Sequence, residues 1–300
     1  MHLGVSSMAD GGYSVTTLGF DTFVLGVGAQ KSGTTWLYDY LNGHPQCDMP
    51  SFKEMHFFDL LFFPDLFSFD FKKKDIVARY ERIKDKPGAQ AQRRAAQFAS
   101  RIRIADQFED YLDFFQDMGI DARVSGDITP TYSALDEDQF RRIRDYLTGA
   151  GLRVRVVFLM RDPVERTLSQ ARMKFARANI QMSVDEARRQ LIPSIRRPAN
   201  LARLQYQNTV RNLQSVFEPE ELFLEFYENL FQEETVRRLC DFLGIDHVPA
   251  DFSRNPNPTR MQSFDVSAED RARIYEVLRP VYDGCREIFG DRVPDSWAKG

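Results

Sequence analysis

The 300-residue chain has little of what would tie it to a metal, an oxidising compartment, a membrane or a nucleic acid. Its three cysteines, Cys47, Cys240 and Cys285, are odd in number and widely spaced, and form neither a zinc pattern nor a disulfide framework. They read as buried or inert thiols of a reducing compartment. The four histidines (His2, His44, His56, His247) are scattered, and no His/Asp/Glu cluster has metal-ligand spacing, so no metal is expected. No apolar run approaches the roughly 18 to 20 residues that span a bilayer. The opening MHLGVSSMADGG lacks the basic start and apolar core of a secretory signal. Nor does one sign of charge dominate: 40 Lys and Arg against 44 Asp and Glu leave a net −4, which argues against nonspecific nucleic-acid binding. A cytoplasmic protein without a membrane span is the expectation, and no pattern fixes an oligomeric state.

What is present is a sharply punctuated stretch, Phe23 to Asn42. The β-type run Phe23-Val24-Leu25-Gly26-Val27 breaks at Gly28 and resumes at helical spacing after Gly33, with Gly43 as the helix cap and Pro45 as the stop. Strand, glycine turn and helix together hold phosphate on backbone amides at a helix N-terminus. Lys31, Ser32, Thr34 and Thr35 add a cation and hydroxyls. The turn is close to a Walker loop, whose lysine directly follows the second glycine. Here Thr34 holds that place and the lysine is Lys31, inside the loop, which suits a shorter phosphate chain. An ordinary α/β turn is the bland alternative.

The rest of the chain alternates strand and helix signals. Ala122–Ile128, Arg153–Met160 and Leu222–Phe226 read as strands; Gln139–Thr148, Leu230–Leu243 and Ala268–Phe289 read as helices. This pattern predicts an α/β fold, a single P-loop-type domain with a central, mainly parallel sheet flanked by helices. Residues 1–18 form a tail and 19–300 the domain, with no internal repeat and no linker. Leu60–Phe71 is dense in phenylalanine but broken by Pro64, Asp65 and Asp70, and reads as a partly buried loop covering the site. The Arg153–Met160 strand delivers Arg161 to the sheet edge, where Asp162 fits a helix N-cap, Pro163 the first turn and Glu165 the capping-box acid. Ser169 follows eight residues later on the same helix face. Arg161 could equally pair with a nearby carboxylate and Ser169 be a surface hydroxyl.

Gln30-Lys31-Ser32-Gly33-Thr34-Thr35-Trp36-Leu37 resembles the 5′-phosphosulfate loop of sulfotransferases that use 3′-phosphoadenosine-5′-phosphosulfate (PAPS). Arg161-Asp162-Pro163-Val164-Glu165-Arg166, with Ser169 in register, resembles their 3′-phosphate motif. Lys53-Glu54-Met55-His56-Phe57-Phe58-Asp59 resembles the Glu-x-His-Phe-Phe-Asp segment of heparan-sulfate-type, carbohydrate-acting members. The resemblance implies that Lys31 to Thr35 cradle the phosphosulfate, with Lys31 also countering charge on the bridging oxygen, while Arg161 and Ser169 hold the 3′-phosphate. It implies Glu54 as the base, within aromatic surroundings that raise its pKa, and His56 as an orienting or proton-handling group. Arg260, in the late loop Ser253 to Arg260, would close over the 3′-phosphate.

The implied reaction is in-line sulfuryl transfer from PAPS, a co-substrate needing no metal, to a hydroxyl or less readily an amine of a small-molecule or glycan acceptor. Gly126-Asp127-Ile128-Thr129-Pro130-Thr131-Tyr132 lies where relatives carry an acid-Lys-[ST]-Pro-x-Tyr segment. Asp127 and Tyr132 are expected to line the acceptor cleft, though Thr129-Pro130 could equally be only a turn. Ile128 replaces the lysine, which argues against a sulfated-glycosaminoglycan acceptor. Two other readings stand beside this one: a P-loop kinase or NTPase, and a non-catalytic PAPS-binding module. His44, just past the first helix, is assigned a structural role.

Overall fold

The structure, a computed structural model, describes residues 18–66, 69–104, 110–116, 118, 122–178, 184–253 and 266–299. Its sheet is built from β1 (Thr22–Gly28), β2 (Val124–Ile128), β3 (Arg153–Met160) and β4 (Leu222–Phe226). All pairings are parallel, in the order β2-β1-β3-β4. β1 and β3 are almost continuously apolar, as strands covered on both faces must be. Phe23 and Leu25 of β1 face one apolar cluster, with Phe58, Phe115, Phe158 and Trp297; Val24 faces a second, with Trp36, Leu37, Val157 and Leu239. That is the period-two alternation of a strand, feeding two layers of helices.

β2, Val-Ser-Gly-Asp-Ile, is equally buried despite its polar sequence. Ser125 Oγ donates to Asp48 O at 2.6 Å. Gly126 pairs with Val24, and a Cβ there would lie 2.1 Å from the Val24 carbonyl oxygen, so only glycine allows this approach.

The helices are α1 (Thr34–Gly43), α2 (Phe58–Phe62), α3 (Phe69–Ile83), α4 (Ala89–Arg103), α5 (Glu137–Gly149), α6 (Pro163–Ala178), α7 (Val184–Ile195), α8 (Pro198–Ala202), α9 (Tyr206–Gln214), α10 (Tyr227–Leu230), α11 (Glu233–Leu243) and α12 (Ala268–Phe289). Among the described residues no helix is long and apolar enough to cross a membrane. The strand order places the switch point between β1 and β3. From β1 the chain moves outward to β2, and from β3 it moves the other way to β4. Ligands of open α/β sheets bind in the crevice at such a point, beyond the carboxyl ends of the strands.

The parallel α/β architecture agrees with the sequence reading, and β3, β4 and α12 fall on their expected bounds. Four details differ. Leu60–Phe71 is not simply a loop: α2 forms one anchored turn around the buried Phe58 and Leu60 before Pro64, and α3 starts at Phe69. The first helix is capped by His44 in extended conformation, whose amide bonds Leu41 O, rather than by Gly43. Leu230–Leu243 is two helices, because Phe231 and Gln232 leave helical geometry. Asp162 does accept from the Glu165 amide (2.8 Å), but the Glu165 carboxylate pairs with Arg271, and Glu228 takes the Asp162 amide instead. The proposed tail, residues 1–18, lies outside the described residues save Leu18.

Candidate active site

The turn after β1 places its first amide on the neighbouring strand: Ala29 N donates to Leu159 O at 2.6 Å. Lys31 and Gly33 then take positive φ, 73° and 90°. Gly33 has little choice, since a Cβ would lie 2.4 Å from Leu230 Cδ2. α1 begins with no side-chain cap and no acidic residue in its first turn, which leaves its opening amides available to an anion. Ser32 Oγ is fully buried, with the Tyr206 hydroxyl as its polar neighbour, and makes no well-formed hydrogen bond among the described residues. Such a hydroxyl, beside uncapped amides and the Lys31 cation, fits a bound oxyanion.

Arg161, at the end of β3, comes across the switch point to this turn. Its Nη1 donates to Lys31 O at 3.3 Å, and its guanidinium lies 4.4 Å above the Tyr227 ring. Among the described residues no carboxylate pairs with it. Ser169 on α6 is 8% exposed, and its hydroxyl makes no hydrogen bond among the described residues. An open cavity of about 470 Å³ adjoins Arg161, lined by Tyr227, Phe231 and Arg271 among others. Sequence reasoning gave no role to Arg166, three residues before Ser169. It is fully buried, donates from Nε to Gln30 O (3.0 Å) and from Nη1 to Gln170 Oε1 (2.6 Å), and burial lowers its pKa. A buried guanidinium without a carboxylate costs several kcal/mol. Here it braces the turn after β1 through Gln30 O.

Glu54 and His56 lie in the irregular segment between α1 and α2. His56 Nε2 is 2.8 Å from Glu54 Oε2, and its Nδ1 is 2.7 Å from Asp59 Oδ2, so the ring bridges two carboxylates. Asp59 is fully buried. Burial works against protonation of His56, but the charges and hydrogen bonds of Asp59 and Glu54 outweigh it and raise the imidazole pKa. Lys53 Nζ donates to Thr34 Oγ1 at 3.1 Å and sits 3.7 Å from Glu54 Oε1. It therefore joins the carboxylate to the first residue of α1. The aromatic surroundings expected of Glu54 are not its immediate partners: the Lys53 ammonium and His56 are, and the side chain is 26% exposed. Asp59 was within reach of sequence reasoning as the i+3 neighbour of His56, and Lys53 as the cation next to the acid.

Asp127 borders a small cavity beside Lys53 and Ile128, and Tyr132 is not among its walls. Both are buried, 1% and 0% exposed, in a hydroxyl–carboxylate network behind the Glu54 segment. Ile128 packs in the apolar layer under Gly26, and borders that cavity together with Lys53. His44 has the structural role expected, with Nε2 2.8 Å from Asp246 O. Arg260 lies outside the described residues. Thr34 is buried and Thr35 half-buried, both at the mouth of the turn. Among the described residues no group is arranged to hold a metal ion.

Residues 24–249 match the sequence profile of the sulfotransferase family. The chain belongs to that family. Among solved structures, a sulfotransferase from Alicyclobacillus acidocaldarius superposes with a TM-score of 0.59 at 20% identity, covering 93% of this chain and 98% of its own. At that identity the likeness is one of fold. The sulfotransferase domain of the Synechococcus PCC 7002 olefin synthase matches at 16% identity over 86% of this chain and 94% of its own, with a TM-score of 0.42. The sulfotransferase domain of the curacin biosynthetic pathway matches at 17% over 84% and 82%, with a TM-score of 0.46. No curated protein matches the chain in sequence.

Proposed function

We propose that this sulfotransferase moves the sulfuryl group of PAPS to an acceptor hydroxyl, less readily an amine, with Glu54 as the base. One observation carries the reading: two anion sites 130 residues apart meet at the switch point, Arg161 Nη1 against Lys31 O, with Glu54 tethered to the same turn through Lys53 and Thr34. Separate grips suit a nucleotide phosphorylated at both the 3′ and 5′ positions. Lys31, Ser32, Gly33, Thr34 and Thr35 would receive the 5′ end, and Arg161 and Ser169 the 3′-phosphate. The cavity walls Tyr227 and Phe231 offer aromatic faces to the base. PAPS, when bound, supplies an activated sulfuryl group and a phosphate leaving group.

The chain's own residues supply position and charge. The two acids raise the His56 pKa, and its ring holds Glu54 Oε2, so that Oε1, 3.7 Å from Lys53 Nζ, is the oxygen that would take the acceptor proton. Lys53 stands between that carboxylate and α1, and the Lys31 ammonium, within the turn, reaches Met173 Sδ of α6 at 3.9 Å. Both are placed to stabilise negative charge that develops on transfer. The Glu-x-His-x-x-Asp arrangement supports the glutamate-base, carbohydrate-type branch, with a small-molecule or glycan acceptor. Lys53 and Ile128 border the same small cavity. A kinase reading draws nothing from the family, and a non-catalytic module would have no use for an acid–imidazole–acid chain.

The test is incubation with labelled PAPS and a panel of alcohols, phenols, glycans and amines, reading sulfated product by mass. Product from the wild type and none from Glu54→Gln supports the reading. Adenosine bisphosphate release without any sulfated acceptor, or an active Glu54→Gln enzyme, overturns it.

A further inference from the structure

The segment that carries Glu54 and His56 has no regular secondary structure, yet its main chain is held at every turn. Arg101 of α4, 1% exposed, donates from Nε to Met55 O (2.6 Å) and from Nη2 to His56 O (2.8 Å). On the opposite side the His56 amide donates to Thr129 Oγ1 at 3.3 Å. The Phe57 and Phe58 amides both donate to the Tyr132 hydroxyl, at 3.1 and 3.3 Å. These two hydroxyls can accept only because their own protons go elsewhere. Thr129 Oγ1 donates to Asp127 Oδ1 (2.7 Å) and Tyr132 to Asp127 Oδ2 (2.5 Å), with Tyr111 adding a third donor at 3.1 Å.

A hydroxyl has one proton and a free rotor. A carboxylate can only accept, so Asp127 sets the direction of both rotors and points their lone pairs at the amides. We propose that Asp127 is a positioning residue for the base: from inside β2 it aims Thr129 and Tyr132, which hold the His56–Phe58 amides and thereby the Glu54–His56–Asp59 chain. This rests on the sulfuryl-transfer reading, because the geometry it fixes is that of the proposed base. The groups facing Asp127 are the Tyr111, Thr129 and Tyr132 hydroxyls, the like charge of Asp59, and the cations Arg101 and Lys53. Burial pushes its pKa up to about 6, so at neutral pH it is an ionised acceptor. An asparagine there would turn an amide N–H toward one of the hydroxyls and reverse that hydroxyl's role.

The test compares Asp127→Asn and Tyr132→Phe with the wild type in the full chain. Amide hydrogen exchange at residues 56–58 should quicken by about tenfold or more, while β3 and α1 keep their protection. Affinity for 3′,5′-adenosine bisphosphate should stay within about twofold, and kcat should fall about 10- to 100-fold with KM for PAPS unchanged. Wild-type exchange and kcat in both variants would overturn the proposal. So would loss of protection spread evenly over the sheet, which would make Asp127 a support of the fold alone. Should Asp127→Asn fail to fold, Tyr132→Phe decides. Should the wild type sulfate no acceptor, the functional reading falls, while the exchange comparison still decides whether Asp127 holds the segment.

Discussion

The two halves of the site are built by different means. The half proposed to grip the phosphates stands on strand ends: backbone amides of one turn, a helix N-terminus, and Arg161 at the end of the adjacent strand. The half that carries the proposed base is an irregular strap fixed by side chains of Thr129, of the Pro130–Ala134 turn and of α4. The first holds its geometry through main-chain structure that few substitutions can alter. The second depends on a chain of hydroxyls, a guanidinium and a buried carboxylate, each of which a single substitution can remove. A fold can thus keep its nucleotide grip while the acceptor side varies.

That contrast is broken most severely at Glu54. Glu54→Gln should lower turnover by about 10³-fold, within the range for loss of a general base, while leaving bisphosphate affinity within about twofold. Steady-state kinetics beside calorimetry separates the two. Arg161→Ala should do the reverse. Loss of a charged hydrogen-bonding partner costs about 1.5–3 kcal/mol, so 3′,5′-adenosine bisphosphate should weaken by about 10- to 100-fold and adenosine 5′-phosphate hardly at all.

Gly33→Ala strains the main-chain half itself. The added Cβ meets Leu230 Cδ2 at 2.4 Å with φ at 90°. Stability by chemical denaturation should fall by about 2–4 kcal/mol.

The smallest effects are those of pH on the strap. His56 titrates above its unfolded value, so its contribution to stability is full below about pH 6.5 and is lost as pH rises through the folded pKa. Asp59→Asn should bring that titration down, as read by NMR of the imidazole. Asp127 has the opposite chemistry but the same direction. Its folded pKa, about 6, lies above the ordinary 3.8, so the native state binds the extra proton and stability falls as pH rises between them. The slope should disappear in Asp127→Asn.

The half proposed to hold the nucleotide can be proposed from the sequence because its residues are contiguous. Lys31 to Thr35, and Arg161 to Ser169, each sit in one stretch at a strand–helix junction, where periodicity and glycine spacing speak directly. Glu54 and His56 could be picked out by their string, but the strap's anchors could not. Arg101 lies 46 residues from the carbonyl it holds and nothing local distinguishes it from a surface arginine, while Tyr132, 75 residues from its amide, draws attention only as a cleft residue by resemblance. The resemblance puts Asp127 and Tyr132 at the acceptor cleft because relatives carry an acid and a tyrosine in that segment, whereas the structure buries both. Three hydroxyls make burial of the acid tolerable. Leu60–Phe71 was read as a loop because Pro64 masks the short turn that Phe58 and Leu60 anchor.

The measurement that bears most directly on the account is a calorimetric titration of the purified chain with 3′,5′-adenosine bisphosphate and, separately, with ATP and magnesium. Tight uptake of the bisphosphate, weakened by Arg161→Ala and by Lys31→Ala, is the predicted result. Tight magnesium–ATP binding with indifference to the 3′-phosphate would contradict it.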